Sequence, residues 1–337
     1  MSRPDASFNE SSCPAPPFGT WKSPVPHIEP EFLQCSIFLY PTEEDAPSGA
    51  NWGGSGFLAG IRSYTNPSYR HLYAVSNDHV IHTNPTIRLI KEGGSTEIVK
   101  RRDQDWTPHP GGDDIAVCQL GAVPEGEYVF LEREELLTER MLSEPFPLVS
   151  PGDDCFMVGR YIDRQQRQFD RPVIRFGNLA MLVESVRQQR RSFEQESFLV
   201  EMRSLAGFSG SPVFVYYEAI GPRVPLPDWW EANPYAWWEG TPEHWPPGSL
   251  PGNRSPSGII ERLWLLGIDW GHLPMWADVI DEDGARMGKM AVNSGMAGVV
   301  PAWKLTELLD SARFVAERKH ADRHLAEEDS EQLRDPL

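Results

Sequence analysis

Short apolar runs, each ended by Gly, Pro, Asp or Asn, recur along most of this chain. They are CSIFLYP (35–41), GSGFLAGI (54–61), LYAVSND (72–78), TIRLI (86–90), DIAVCQL (114–120), CFMVGRYI (155–162), PVIRFGNLAMLV (172–183), SFLVEM (197–202), SPVFVYY (211–217), LWLLGIDWG (263–271) and AGVVPAW (297–303). Most are too short for stable helices, and their β-branched and aromatic content suits a pleated surface. Eleven such runs with few helical stretches between them restrict the fold to an all-β sandwich or pair of barrels. They fall into two groups around residues 121–150, where LEREELLTERML (131–142) reads as helix or loop. A chain of 337 residues can bury one large core or two modest ones.

Charge narrows the partners. The formal net charge of −18 repels phosphate backbones, so nucleic acid is not expected. The one basic run, RQQRR at 187–191, reads as an exposed loop. The polar, Pro-rich start MSRPDASFNESSCPAPPFG lacks the apolar stretch of a signal peptide, and no run approaches a membrane span in length. The cysteines Cys13, Cys35, Cys118 and Cys155 lie far apart with no metal-binding spacing, and Cys118 and Cys155 sit in apolar runs where buried free thiols are expected. These features place the chain in a reducing, cytoplasmic setting, without membrane, metal or cofactor. PAWKLTELLDSARFVAERKH (301–320) has helical spacing, and the tail AEEDSEQLRDPL reads as frayed.

AGFSGSPVF (206–214) sets Ser209 between glycines, as a nucleophile on a tight turn or as part of an ordinary loop. A serine hydroxyl needs a base, and the base needs an orienting acid. The candidate base is His79, at the end of the apolar run in YAVSNDHVIH, although histidines in turns are common. The candidate acid is Asp114 in PGGDDIAVCQL, at the mouth of a strand where desolvation strengthens a bond to an imidazole N–H. Asp113 beside it is the alternative carboxylate, and Asp78 reads as a turn or capping residue. The order His79, Asp114, Ser209, with gaps of 35 and 95 residues, fits two strands and then a crossing into a second unit.

With these pieces in order, the sequence resembles the chymotrypsin-fold (trypsin-like) serine peptidases, particularly the bacterial high-temperature-requirement (Deg/HtrA) type, without a PDZ domain. GSGFLAGI resembles the strand before the family's histidine, HPGGDDIAV (109–117) the approach to its acid, and LVSPGDDCFMVGR (148–160) the opening of its second barrel. LLGIDWG (265–271) is similar to the strand lining the cleft, and GVVPAWKLTELL (298–309) to the closing strand and C-terminal helix. The resemblance covers about residues 33–310. It implies two six-stranded antiparallel Greek-key barrels, with a C-terminal helix and a Trp/Pro-rich insertion. The extension would occupy 1–32, the first barrel 33–135, the second barrel 136–310 with the insertion at 218–258, and the helix end and acidic tail 311–337. It also implies His79 as general base, Asp114 as its orienter and Ser209 as nucleophile, with the backbone N–H groups of Gly207 and Ser209 as oxyanion hole.

Some positions depart from the family. Phe208 stands where pancreatic-type enzymes carry the aspartate that meets a freed N-terminus, so that mode of activation is not expected. Ser211 replaces a glycine. Arg203 falls near the floor of the primary pocket, where a guanidinium selects acidic side chains, or else pairs with Glu201 or faces solvent. Asp269, Trp270 and Gly271 are the other pocket candidates, and an Asp269 carboxylate there would oppose the arginine. DWWEANPYAWWEGTPEHWPP, with five of the chain's twelve tryptophans, would pack onto the barrel or offer a surface for substrate access or a regulatory protein. Three readings follow: an intracellular serine endopeptidase acting on protein or peptide, a partner- or ligand-regulated form of it, and a catalytically idle binding or scaffold protein of the same fold.

Overall fold

The computed structural model describes residues 28, 30–49, 51, 53–91, 94–142, 148–160, 172–188, 193–202, 207–220, 253–254, 259–282 and 284–332. Strands dominate them. After a short α1 (Pro30–Gln34), the first sheet uses β1 (Ser36–Tyr40), β2 (Gly54–Arg62), β3 (Tyr69–Ser76), β4 (Thr86–Ile90), β5 (Thr96–Val99), β6 (Thr107–Pro108), β7 (Ala116–Pro124) and β8 (Leu131–Glu132). The short helices α2 (Asp45–Ser48) and α3 (Asp78–Ile81) fall between them. Its order is β5-β4-β1-β2-β3-β7-β6, with β8 parallel to β2. The stretch 131–142, read as helix or loop, is β8 followed by two single 3₁₀ turns.

The second sheet uses β9 (Asp154–Gly159), β10 (Val173–Gln188), β11 (Phe193–Glu201), β12 (Pro212–Ile220), β13 (Asn253–Arg254), β14 (Ile259–Ile280) and β15 (Arg286–Pro301). Its order β12-β9-β10-β11-β15-β14 closes on itself through the β12–β14 pairing, which makes a ring of six strands with β13 added outside β14. Two helices follow, α4 (Ala302–Leu309) and α5 (Ala312–Gln332).

Two closed barrels were expected, and one ring closes. The first sheet is an open, half-barrel sheet in which no β5–β6 pairing joins the ends among the described residues. Its end strands are too weak to close it: β5 has four residues, and β6 has two, one of them Pro108 with no N–H to donate. The helix also runs further than expected, since α5 takes in residues 326–332 of the tail. Ile28, Phe32 and Leu33, which the sequence places at or beside a polar extension, pack on the main core, with the Phe32 ring 5.1 Å from Phe214.

Strand alternation explains the continuous apolar runs of β2, β3 and β7. Leu58, Leu72, Ala74, Ala116 and Cys118 face a core inside the first sheet, with Trp106 and Tyr128. Phe57, Ala59, Tyr73, Val75 and Val117 face the other way, into a core shared with the ring and the C-terminal helices. Phe57–Ile61, Leu72–Val75 and Ala116–Cys118 are buried on both faces, so these stretches read as apolar runs. The three described cysteines, Cys35, Cys118 and Cys155, are free and buried, and burial raises each thiol above its ordinary value.

One element was missed. β14 and β15 continue as a long hairpin beyond the ring, in register from Pro274↔Asn293 to Ile280↔Arg286. Pro274, Asp278 and the glycines of β15 interrupt the alternation that would have marked these strands in the sequence. At the other end of β14 the insertion is shorter than expected, because Glu218–Ile220 still pair as strand with Ile259–Glu261. Its tryptophans at 229–245 lie outside the described residues. Among the described residues no helix is long and apolar enough to cross a membrane.

Candidate active site

The His79–Asp114 pair lies where β3 and β7 begin to part. β3 ends at Ser76, and Asn77 turns the chain into α3, whose second residue is His79. Asp114 sits two residues before β7, which pairs antiparallel with β3 in register Ser76↔Ala116. The two side chains therefore leave neighbouring strand ends. Asp114 Oδ2 lies 2.7 Å from His79 Nδ1, and Oδ1 accepts the His79 backbone N–H at 3.0 Å. The backbone of Asp114 is held as well: its carbonyl accepts the Asn77 amide at 2.8 Å, and its N–H donates to Gln195 Oε1 at 2.8 Å.

Exposure separates the roles. The Asp114 side chain is 2 % exposed and that of His79 is 32 % exposed, so the acid is enclosed while the imidazole reaches the surface. A carboxylate can only accept, so it fixes the proton on Nδ1 and leaves Nε2 with its lone pair. That arrangement can take up a proton at Nε2.

The Ser209 turn is pinned from both sheets. Ser55 N–H donates to the Ser209 carbonyl at 2.9 Å, and Ser55 Oγ donates to the Gly207 carbonyl at 2.7 Å. From the ring, Gly210 N–H donates to the Asp269 carbonyl at 2.8 Å, and Asp269 N–H to the Ser211 carbonyl at 2.9 Å. Gly207 and Gly210 adopt φ of 95° and 89°, values that only glycine takes freely. A Cβ on Gly210 would stand 2.0 Å from the Ser55 carbonyl oxygen and 2.4 Å from Ser76 Oγ, three residues before His79. Gly54 is confined likewise, since a Cβ there would come within 2.9 Å of the Ser209 carbonyl oxygen and 2.7 Å of a Val80 methyl. The Ser209 turn and the His79 helix thus meet over one stretch of β2, and Ser209 is half-buried there.

The remaining candidates divide. Asp113 is engaged elsewhere: it lies 2.9 Å from His109 Nδ1 and accepts Gln195 Nε2 at 2.7 Å. Burial alone would raise its carboxyl, but the His109 hydrogen bond, the Lys304 charge and the Gln195 amide together hold it below the ordinary range. Asp78 is the first residue of α3, with its carboxylate 3.4 Å from His82; the N-cap is Asn77, which makes no side-chain cap bond. Asp269 is fully buried. Trp270 Nε1 donates to Ser197 Oγ at 2.9 Å, and its ring lies against Gly298, where a Cβ would clash at 2.3 Å. Gly271, half-buried at φ 139°, opens the hairpin. Arg203 lies outside the described residues.

Sequence reasoning missed Ser55, Asn77 and Gln195. Ser55 stands inside the GSG run that marked the strand, whereas nothing in EQESF distinguishes Gln195 from a surface glutamine.

Neither a family model nor a curated protein matches the sequence. Solved structures do. The apo MamO protease domain from Magnetospirillum magneticum is 13% identical with a TM-score of 0.43, over 83% of this chain and 98% of that one. The HtrA-type protease AlgW with a tripeptide is 13% identical with a TM-score of 0.40, over 83% of this chain and 61% of its own length. Deg5 is 16% identical with a TM-score of 0.34, over 53% of this chain and 73% of that one.

Proposed function

We propose that this chain is a serine endopeptidase of the trypsin-like type, hydrolysing peptide bonds through His79, Asp114 and Ser209. The observation that carries the reading is the two-point grip of an enclosed carboxylate on a half-exposed imidazole, at 2.7 and 3.0 Å, beside a glycine-flanked serine turn. An aspartate filling a turn would not need both oxygens on the same histidine.

In this reading His79 Nε2 takes the Ser209 hydroxyl proton as Oγ attacks the scissile carbonyl. The N–H groups of Gly207 and Ser209 receive the oxyanion. His79 then gives its proton to the leaving amine, and the acyl-enzyme is hydrolysed by water activated at the same imidazole. Asp114 stays ionised and stabilises the imidazolium. The substrate is protein or peptide, handled in the cytoplasm. Asp269, Trp270 and Gly271 belong to its cleft, with Asp269 acting through its backbone. Control by a partner at the Trp-rich insertion is part of the same reading.

Labelling with a fluorophosphonate probe, mapped by mass spectrometry, tests it. Ser209 is expected to be the labelled residue, and Ser209→Ala to abolish both labelling and casein cleavage while leaving the melting temperature in place. Labelling only in the presence of a cell extract would identify the regulated form. An unlabelled Ser209 under both conditions would leave a peptidase-like binding protein.

A further inference from the structure

Gln195 is fully buried, projects from β11 of the ring, and ends on the loop of the first sheet that carries Asp114. Its Oε1 accepts the Asp114 N–H at 2.8 Å. Its Nε2 donates to Asp113 Oδ1 at 2.7 Å and to the Glu196 carbonyl at 3.1 Å. The amide can sit only one way round, because the Asp114 N–H is purely a donor and the Asp113 carboxylate purely an acceptor. One side chain from the second sheet thus grips two successive aspartates of the first.

The grip is asymmetric in chemistry. Asp113 anchors a cluster in which His109 lies 2.9 Å away, Lys304 3.6 Å away, and Lys304 reaches Glu196 at 2.9 Å. Glu307 closes the cluster, 3.2 Å from His109 Nε2. Asp114 sets Oδ2 against His79 Nδ1 and Oδ1 against the His79 backbone N–H. The cluster is the fixed end, and Gln195 transmits its position to the Asp114 backbone.

Resting on the peptidase reading, we propose that Gln195 is a positioning residue for the Asp114–His79 pair, setting the angle at which the Asp114 carboxylate meets the imidazole. A rigid peptide plane at Asp114 places its carboxylate on Nδ1, and small misplacements in such an arrangement slow catalysis by up to about a hundredfold.

Two variants test this. Gln195→Met keeps the volume and removes the bonds to both aspartates, with the one to the Glu196 carbonyl. Gln195→Glu keeps the acceptor for Asp114 N–H but sets a second carboxylate against Asp113, so at neutral pH the bridge opens. As pH falls, a proton shared between the introduced carboxylate and Asp113 rebuilds it, since a like charge alongside raises the pH at which one of two carboxylates takes up its proton. Ser209 labelling rates by the fluorophosphonate are measured from pH 8 to pH 5.5 as ratios to wild type at each pH.

The expected result is a deficit of about ten- to a hundredfold for Q195M at every pH, and one for Q195E that shrinks as pH falls. Labelling of Q195M within twofold of wild type, or a Q195E deficit flat with pH, overturns the proposal. Melts of Q195E at each pH give the folded fraction, and the deficit is taken on folded protein, because a buried carboxylate that loosens the fold would also recover as it takes up a proton. If Q195M does not fold, the Q195E profile decides. If wild type itself is unlabelled, the peptidase reading fails and the low-field proton resonance of His79 Nδ1–H decides instead. A resonance that moves in Q195E and returns at low pH supports the positioning role; one unchanged by the substitution overturns it.

Discussion

Ser55 Oγ donates to the carbonyl of Gly207 at 2.7 Å across 152 residues of sequence. The same residue's N–H holds the Ser209 carbonyl at 2.9 Å, and its Oγ accepts the Arg160 N–H at 3.2 Å. One serine of the first sheet thus fixes both ends of the Gly207–Ser209 turn, which is otherwise carried by the ring. The position of the first sheet against the ring is therefore part of the turn's own geometry.

Ser55→Ala tests that link. It leaves the Gly207 carbonyl and the Arg160 N–H without this partner in a buried site, a cost of about 1–3 kcal/mol. Stability should fall by that amount in urea melts. Ser209 labelling should slow by more than the unfolded fraction explains, by roughly tenfold. Slowing that matches the unfolded fraction alone would make Ser55 a purely structural residue.

The neighbouring aspartates should behave oppositely. Asp114→Asn presents an amide that favours the wrong imidazole tautomer, a change that costs about 10⁴ in turnover in a well-characterised Ser-His-Asp triad. Asp113→Asn keeps an oxygen for Gln195 Nε2 but breaks the pairs to His109 and Lys304, a stability cost of about 3 kcal/mol for an enclosed pair. Turnover should drop far less than for Asp114→Asn. Peptidase assays and melts on the two variants decide it; a larger loss of turnover in Asp113→Asn would exchange the roles of the two carboxylates.

The strands that read most clearly were those with stretches buried on both faces, because Phe57–Ile61 of β2, Leu72–Val75 of β3 and Ala116–Cys118 of β7 leave no polar interruption for a turn to imitate. The candidate triad was legible for a related reason: Ser209 needs glycines at 207 and 210, and Asp114 must abut an apolar strand, and both demands leave marks within a few residues. What the sequence concealed depends on distance. Gln195 and Ser55 act on partners 81 and 152 residues away, so EQESF gives no sign of Gln195, and the GSG run marks a strand without showing what Ser55 holds. Closure of the first sheet was misread because strand count says nothing about whether end strands as short as β6 can pair. The β14–β15 hairpin was missed because its strands extend past the core, where burial no longer imposes a period of two.

Acid should loosen the C-terminal helix. His71 on β3 is fully buried, with Nε2 2.8 Å from Asp322 Oδ1 of α5, and among the described residues Nδ1 has no partner. Burial is the main cause holding its pKa below the ordinary value of 6.5, outweighing the Asp322 bond, which raises it. The stabilisation is therefore present above about pH 6.5 and is lost as pH falls, because the unfolded chain takes up a proton that the folded one resists. His71→Gln retains a donor for Asp322 and cannot titrate. Between pH 8 and pH 5.5 the wild type should lose more melting temperature than the variant; equal losses would remove His71 as the cause.

Packing, not an ion pair, sets the chain next to Ser209. Phe208 is fully buried, with the Arg175 guanidinium 5.1 Å from its ring centre, and a Cβ on Gly159 would stand 2.7 Å from that ring. Ser211 is packed in the same way: a Cβ on Gly159 would come within 2.1 Å of its Oγ. Phe208→Ala should then cost about 3–5 kcal/mol, the range for emptying a buried aromatic site, and melts would measure it. A freed N-terminal ammonium would find no carboxylate at position 208, and burying it unpaired costs several kcal/mol. Deleting residues 1–25 ends the chain ahead of Ile28 and Phe32, which do contact the core, and should leave Ser209 labelling within about threefold of the full chain. A rise of about a hundredfold, near 2.7 kcal/mol of barrier, would instead make that segment an inhibitor of the Ser209 turn.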